Sequence, residues 1–334
     1  MTIKDEMVKW LKIYKRGTIK VTSFDTVLRT ASNYIIKYIG NMILDEITSD
    51  DVQLLLTKLD LDLHLSFSIR KKVYNVLCEF YRHLELKYEV KNIMNVVVRP
   101  KEKKKRGSKS PRALTILEIQ KFIKAALRKK SNGTYESMYG PALVVYLFTG
   151  IRLGELCGLK LSDYDRKRGI LHINSDVECI GDYDPETLEF KKGITLVHQD
   201  TPKSYNSDRY LQVNETAKKY LDYYYVNAVK CGSEYLICNT KYTMTSPSSL
   251  TSAYYSTIKK AQITNANGIH TLRHTFATHL LRNQTNIKIV SEALGHSSVK
   301  VTYDTYIHTN VEPDDIPSAF KILDTVFSKS CIRP

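Results

Sequence analysis

The sequence predicts a mainly α protein with a small antiparallel β-sheet, in two domains: a helical domain over residues 1–98 and an α+β domain over residues 114–334, joined by a linker over 99–113. Three observations carry this. A chain of 334 residues exceeds one typical hydrophobic core. Apolar residues recur at helical spacing through the first hundred residues and again after about residue 214, and give way to short β-branched or aromatic runs only between about 169 and 213. The stretch "RPKEKKKRGSKSPR", residues 99–112, is cationic, contains two prolines and has no apolar period, which marks a domain boundary.

In the first domain Phe24, Val27, Leu28, Ala31, Ile35 and Ile39 form one helical stripe after a possible cap at Ser23. Ile69, Val73, Val76, Leu77, Phe80 and Leu84 form another, and a shorter helix is expected around Val52–Leu59. These stripes read as a core without a functional site. After the linker, Thr115 and Glu118 have the spacing of a capping box ahead of Ile119 and Phe122. "PALVVYLF", residues 141–148, reads as a buried helix ended by Thr149 and Gly150. "GILHINSDV", "GITLVHQ" and "RYLQV" read as strands. Between the first two lies "GDYDPETLEFKKG", residues 181–193, with four acids in its first nine positions; a hairpin meeting another protein surface is the reading. Helices are expected from there on, the last over about 318–329.

The formal charge is +15 and the pI near 9.3, which favours a polyanionic partner, a nucleic acid or an anionic membrane surface. The charge is +4 over residues 1–100, +5 over residues 101–110 and +6 over the remainder. Lys101, Lys103, Lys104, Lys105, Arg106 and Lys109 are therefore the candidate phosphate contacts, as a strap along a backbone, with a solvated linker as the plain alternative. No run of about eighteen uncharged apolar residues occurs, and the N-terminus lacks a signal-peptide core. The six cysteines show no CxxC spacing, so neither a zinc knuckle nor a disulfide scaffold is indicated, and reduced thiols are expected.

The chemistry concentrates in "GIHTLRHTFATHLL", residues 268–281. His270 and His274 have zincin spacing, but Thr271 stands where that motif needs glutamate. Leu272, Phe276 and Leu280 make a core stripe, which leaves Arg273 unexplained. His270 and Arg273, three apart, can present an imidazole and a forked guanidinium to one anion. Further candidates are Arg152 and Glu155 in "TGIRLGEL", His296 in "ALGHSS", and Tyr306 in "TYDTYIH".

These four stretches together resemble the tyrosine recombinase (phage integrase) family, whose signature is T-G-x-R-x-x-E-L, then H-x-x-R, then L-G-H, then a tyrosine about ten residues on, often as Y-x-H. The likeness covers roughly residues 112–334 by motif and the helical domain by position. It implies a core-binding domain followed by a catalytic domain; the small N-terminal arm-binding domain that many integrases of mobile elements carry is not apparent, which leaves open a two-domain enzyme or a truncated chain. Arg152 and Arg273 are implied to clamp the non-bridging oxygens of a DNA phosphodiester. Tyr306 is implied to attack the phosphorus, leaving a 3′-phosphotyrosyl link and a free 5′-hydroxyl. His270 and His296 add hydrogen bonds and proton transfer, and Lys203, in the turn "TPKSYNSDRYL", protonates the leaving oxygen unless it is simply an exposed turn lysine. Tyr303, three residues before Tyr306, is the rival nucleophile; the Y-x-H pattern favours Tyr306. Glu155 is expected to support its neighbours, and His274, His279 and His308 to be structural. The implied enzyme needs no metal, ATP or other cofactor. It acts on double-stranded DNA as a homotetramer through a Holliday junction, exchanges its C-terminal helix in trans unless that helix packs on its own domain, answers to an accessory directionality factor, has no membrane partner, and works in the bacterial cytoplasm on the nucleoid. Integration and excision of a conjugative transposon or phage is the favoured task. A Xer-type resolvase and a type IB topoisomerase are the alternatives, beside a DNA-binding protein without catalysis.

Overall fold

The chain forms two units, seen in a computed structural model that describes residues 1–102, 112–199 and 208–306. In the first, α1 (Ile3–Trp10) opens with a capping box in which Thr2 Oγ1 accepts from the Asp5 N–H and the Asp5 carboxylate accepts from the Thr2 N–H. A wider helical turn, Leu11–Lys15, extends it. α2 (Val21–Thr30) runs through a second wide turn, Ala31–Ile36, into α3 (Lys37–Ile39). The expected stripe is buried here at Phe24, Leu28, Ala31, Ile35 and Ile39. The helix starts before Ser23, however: Lys20 is the N-cap and makes no side-chain cap bond, so Ser23 falls in the first turn. Burial of the stripe, rather than a cap, fixes this helix. α4 (Ser49–Leu61) has the Thr48–Asp51 capping box, and α5 (Phe67–Tyr88) begins at a Ser66 cap and stops at Glu89, which turns left-handed. These helices share one core, where Trp10 meets Phe80 edge-on at 5.6 Å. Of the linker candidates Lys101 is exposed, while Lys103, Lys104, Lys105, Arg106 and Lys109 lie outside the described residues.

In the second unit α6 (Ile116–Ala126) starts at the expected Thr115–Glu118 box. Arg112 adds a bidentate pair to Glu118 at 2.7 and 2.6 Å, which draws that carboxyl down to about 2 against the opposing effect of burial. α7 (Gly140–Thr149) is buried along its whole length and ends at Gly150, as expected. α8 (Leu153–Gly158) follows, then β1 (Tyr164–Asp165), β2 (Ile170–Ile173), β3 (Asp176–Tyr183), β4 (Phe190–Gln199) and β5 (Arg209–Gln212). β1, β2 and β5 form an antiparallel sheet with Ile170 opposite Gln212, and β3 pairs with β4 separately. α9 (Glu215–Cys231), α10 (Pro247–Lys260), α11 (His270–Arg282), α12 (Ile287–Leu294) and α13 (Val299–Tyr306) complete the unit. α7 is the central element, packed by α6, α9, α10 and α11, which is why its sequence is apolar on every side. The expected helix over 318–329 lies outside the described residues.

The acidic insertion is a hairpin, and the surface it meets is the helical unit of its own chain: residues 180–195 pack within the first unit. Asp184 Oδ1 accepts from the Glu186 and Thr187 N–H groups and closes the turn. Leu188, 2% exposed, enters the helical core. The Gly181 N–H donates to Asp25, and the Arg29 guanidinium lies 4.7 Å from the centre of the Phe190 ring. Lys4 pairs with Glu189 and Lys12 with Glu186; these ion pairs are exposed and contribute little, so the apolar contact dominates. Leu188→Ala is expected to cost about 2–3 kcal/mol of local stability. Trypsin should then nick the chain after Lys191 or Lys192 at least about tenfold faster; an unchanged rate would show that Leu188 does not hold the hairpin down.

Candidate active site

Four loop-and-helix junctions of the second unit converge here. Gly150 ends α7 with φ +61°, a conformation glycine adopts without strain, and a side chain there would strike the Phe276 ring. The turn carries Arg152 into the N-cap position of α8. Glu155, one turn on, is 3% exposed; its Oε2 accepts from the Arg152 N–H at 2.7 Å and its Oε1 from Arg152 Nη1 at 2.7 Å. Burial alone would raise this carboxyl, but Arg209 and then Arg152 outweigh burial and hold it below its ordinary value.

Arg209, the first residue of β5, donates through Nη1 and Nη2 to the two Glu155 oxygens at 3.1 and 2.8 Å. No motif in the sequence marks it: it is one of 50 Lys and Arg residues, and only its place at the start of a predicted strand beside the "TPKSYNSDRYL" turn hinted at it.

α12 ends at Gly295, φ +67°, and exposes the unpaired carbonyls of a helix C-terminus. Three consecutive carbonyls there each accept from a different arginine. Ala293 O accepts from Arg209 Nε at 2.9 Å, Leu294 O from Arg273 Nη2 at 2.8 Å, and Gly295 O from Arg152 Nη2 at 2.5 Å. Arg273, 8% exposed, also donates through Nη1 to Gly150 O at 2.8 Å. The negative end of the helix dipole thus faces three cations.

His270 begins α11, with Nδ1 3.4 Å from the Tyr146 hydroxyl. Partial desolvation of the ring and then the Arg273 cation hold its imidazole below the ordinary value. His296 follows Gly295; its Nδ1 lies 2.7 Å from Thr302 Oγ1 on α13. Burial, followed by Arg273, Arg152 and Arg209, pushes this imidazole down to about 4, with Glu155 opposing. The Thr302 contact ties α13 to the turn, and Thr302 is fully buried. Tyr306 is the last residue of α13, and Tyr303, one turn earlier, is 52% exposed. Lys203 and His308 lie outside the described residues. His274 and His279 sit in the apolar packing of α11; His279 Nε2 is 2.9 Å from Leu114 O. Arg152, Glu155, Arg273, His270 and His296 are therefore brought together, while Lys101 belongs to the other unit.

Known proteins resemble the chain in both sequence and fold. The model described as the phage integrase family matches residues 112–312, and that described as the phage integrase N-terminal SAM-like domain matches residues 2–59. The tyrosine recombinase XerC of Lactobacillus delbrueckii subsp. bulgaricus is 25% identical over 322 residues, covering 93% of this chain and 96% of that protein. A XerC-like tyrosine recombinase of Caldanaerobacter subterraneus subsp. tengcongensis is 27% identical over 222 residues; this covers 63% of the chain, which spans only 55% of that relative's length. In fold, the integrase of transposon Tn1549 in complex with transposon right-end DNA matches with a TM-score of 0.69 at 17% identity over 99% of both chains. A lambda integrase dimer bound to a core site matches at 0.68 and 18% identity, over 95% of this chain and 80% of that one. With the family model spanning residues 112–312, more than half of the chain, the chain belongs to the phage integrase family of tyrosine recombinases.

Proposed function

We propose that this recombinase integrates and excises a mobile genetic element by cutting and rejoining double-stranded DNA through a 3′-phosphotyrosyl intermediate. The observation that supports the site most directly is the junction of α12 and α13: three arginines anchored on consecutive carbonyls, beside a histidine that is bonded to the helix ending in Tyr306. An attacked phosphodiester gathers negative charge in its pentacoordinate state, and fixed guanidiniums meet that charge without reorganising. In this reading Arg152 and Arg273 take the non-bridging oxygens and Tyr306 attacks. Neutral His270 and His296 hydrogen-bond the phosphate and move the tyrosine's proton, and Lys203 protonates the departing 5′-oxygen. The bond energy is kept in the phosphotyrosine, so a second 5′-hydroxyl reverses the step without ATP.

The mobile-element assignment draws support from structural likeness to the Tn1549 and lambda integrases, the latter also known as a tetramer bound to a Holliday junction. Relatives by sequence carry Xer names, which favours a resolvase as the second reading; recombination between two unlike sites supports an integrase, and between two copies of one site a resolvase. We further propose a homotetramer on DNA, an accessory directionality factor, a cytoplasmic, nucleoid-associated setting, Lys101, Lys103, Lys104, Lys105, Arg106 and Lys109 on phosphates, and residues 318–329 as a helix exchanged in trans. No described helix is long and apolar enough to cross a membrane.

On nicked duplexes the protein is expected to form an SDS-resistant adduct that is kept in Tyr303→Phe and lost in Tyr306→Phe. Lys203→Ala should slow the adduct about 10²-fold on ordinary DNA and recover on DNA with sulfur at the 5′ leaving position, because a thiolate leaves unprotonated. No adduct from tightly bound wild-type protein overturns the catalytic reading. Deletion of 317–334 should leave DNA affinity nearly unchanged and reduce cleavage; equal cleavage refutes exchange in trans.

The pH dependence follows from His296. Its folded value, about 4, lies below the unfolded 6.5, so the unfolded chain takes up the proton first as pH falls. The stability linked to this group is complete above about pH 6.5 and is lost on the way down to about pH 4. The stability difference between wild type and His296→Asn, measured by urea unfolding, should therefore shrink from pH 7 to 4.5; a constant difference contradicts the shift.

A further inference from the structure

We propose that Arg209 is a positioning residue for strand cleavage: it fixes the Glu155 carboxylate and the end of α12 in the arrangement that presents Arg152 to the scissile phosphate. This rests on the recombinase reading of the site.

Arg209 itself is committed elsewhere. Its side chain is about nine-tenths buried, and three of its N–H directions go to Glu155 Oε1, Glu155 Oε2 and Ala293 O. It therefore does its work through neighbours. Arg152 has the same two anchors one step removed, the Glu155 carboxylate and the next carbonyl but one on the α12 terminus, Gly295 O. The two guanidiniums share Glu155 Oε1, so the place of one sets the place of the other. Gly295 enforces the arrangement from the other side, because a Cβ there would come within 2.6 Å of Arg209 Nη1 and 3.3 Å of Arg152 Nη1.

Chemistry requires a guanidinium at 209. It is planar, spans both carboxylate oxygens and keeps a third donor in the same plane for a carbonyl. An ammonium has no such fork, so lysine would preserve the charge and lose the geometry. A displacement of about 1 Å in a charged clamp is enough to cost about 10²-fold in rate, and β5 is a strand, which holds the guanidinium more rigidly than a loop would.

The test uses full-length protein on nicked duplex, reading dissociation constant and single-turnover adduct rate separately. Arg209→Gln and Arg209→Lys are each expected to slow adduct formation by about 10²-fold while DNA affinity stays within about threefold. In an Arg152→Ala background, Arg209→Gln should add less than about threefold, because the residue acts through Arg152. The proposal is overturned by wild-type rates in Arg209→Gln, by losses that multiply across the two sites, or by a rate loss matched by weaker binding. Should Arg209→Gln fail to fold, Arg209→Lys, which keeps the cation beside Glu155, is read by the same criteria. An absent adduct in the wild type would instead refute the recombinase reading, so the two failures are distinguishable.

Discussion

Three guanidinium groups cannot share a small region without something to hold them there, since like charges a few ångströms apart in a partly buried site repel strongly. Here the counterweight is one buried carboxylate, Glu155, together with the carbonyl end of one short helix, α12. The rest of the catalytic unit is arranged to deliver groups to that point. α7 stops at Gly150 so that its carbonyl can hold Arg273 and its turn can lead into Arg152. β5 begins at Arg209, and α13 is moored by Thr302 to His296. The cost is visible in the histidines: cations and burial keep the His296 imidazole neutral well below neutral pH. A neutral ring can both accept and donate a proton, which a clamp of permanent cations cannot do.

Much of this was legible in the residues. The capping box at Thr115 and Glu118, the buried α7 and the hairpin at 181–193 follow from local spacing and turn chemistry, which act over a few residues. The helix carrying Phe24 and Leu28 began earlier than Ser23 suggested, because core burial fixed it without a side-chain cap. Arg152, His270, Arg273 and His296 could be picked out since each lies in a short motif. Arg209 could not, since its significance lies in meeting Glu155, 54 positions away in the chain. A contact of that separation leaves no periodic trace in the sequence. The acidic hairpin was legible as a hairpin, and its partner was not, for the same reason: Asp25 and Gly181 are 156 residues apart.

The hairpin also changes what is meant by the first unit. Charge would suggest that an acidic segment in a basic protein faces away from DNA and towards another protein, and the segment does meet a protein surface, though one on its own chain. Its ion pairs lie at the rim, and Leu188 and Phe190 supply the apolar contact with the helices.

Because residues 180–195 belong to the first unit, that unit is discontinuous in the chain. A ribosome releases the five helices early, but the piece that covers Leu188's place in their core follows only after β1, β2 and the start of β3. Domains that are contiguous in sequence can finish folding while the remainder is being synthesised. This one stays unfinished until well past the middle of the polypeptide, so its completion is coupled in time to the making of the catalytic sheet.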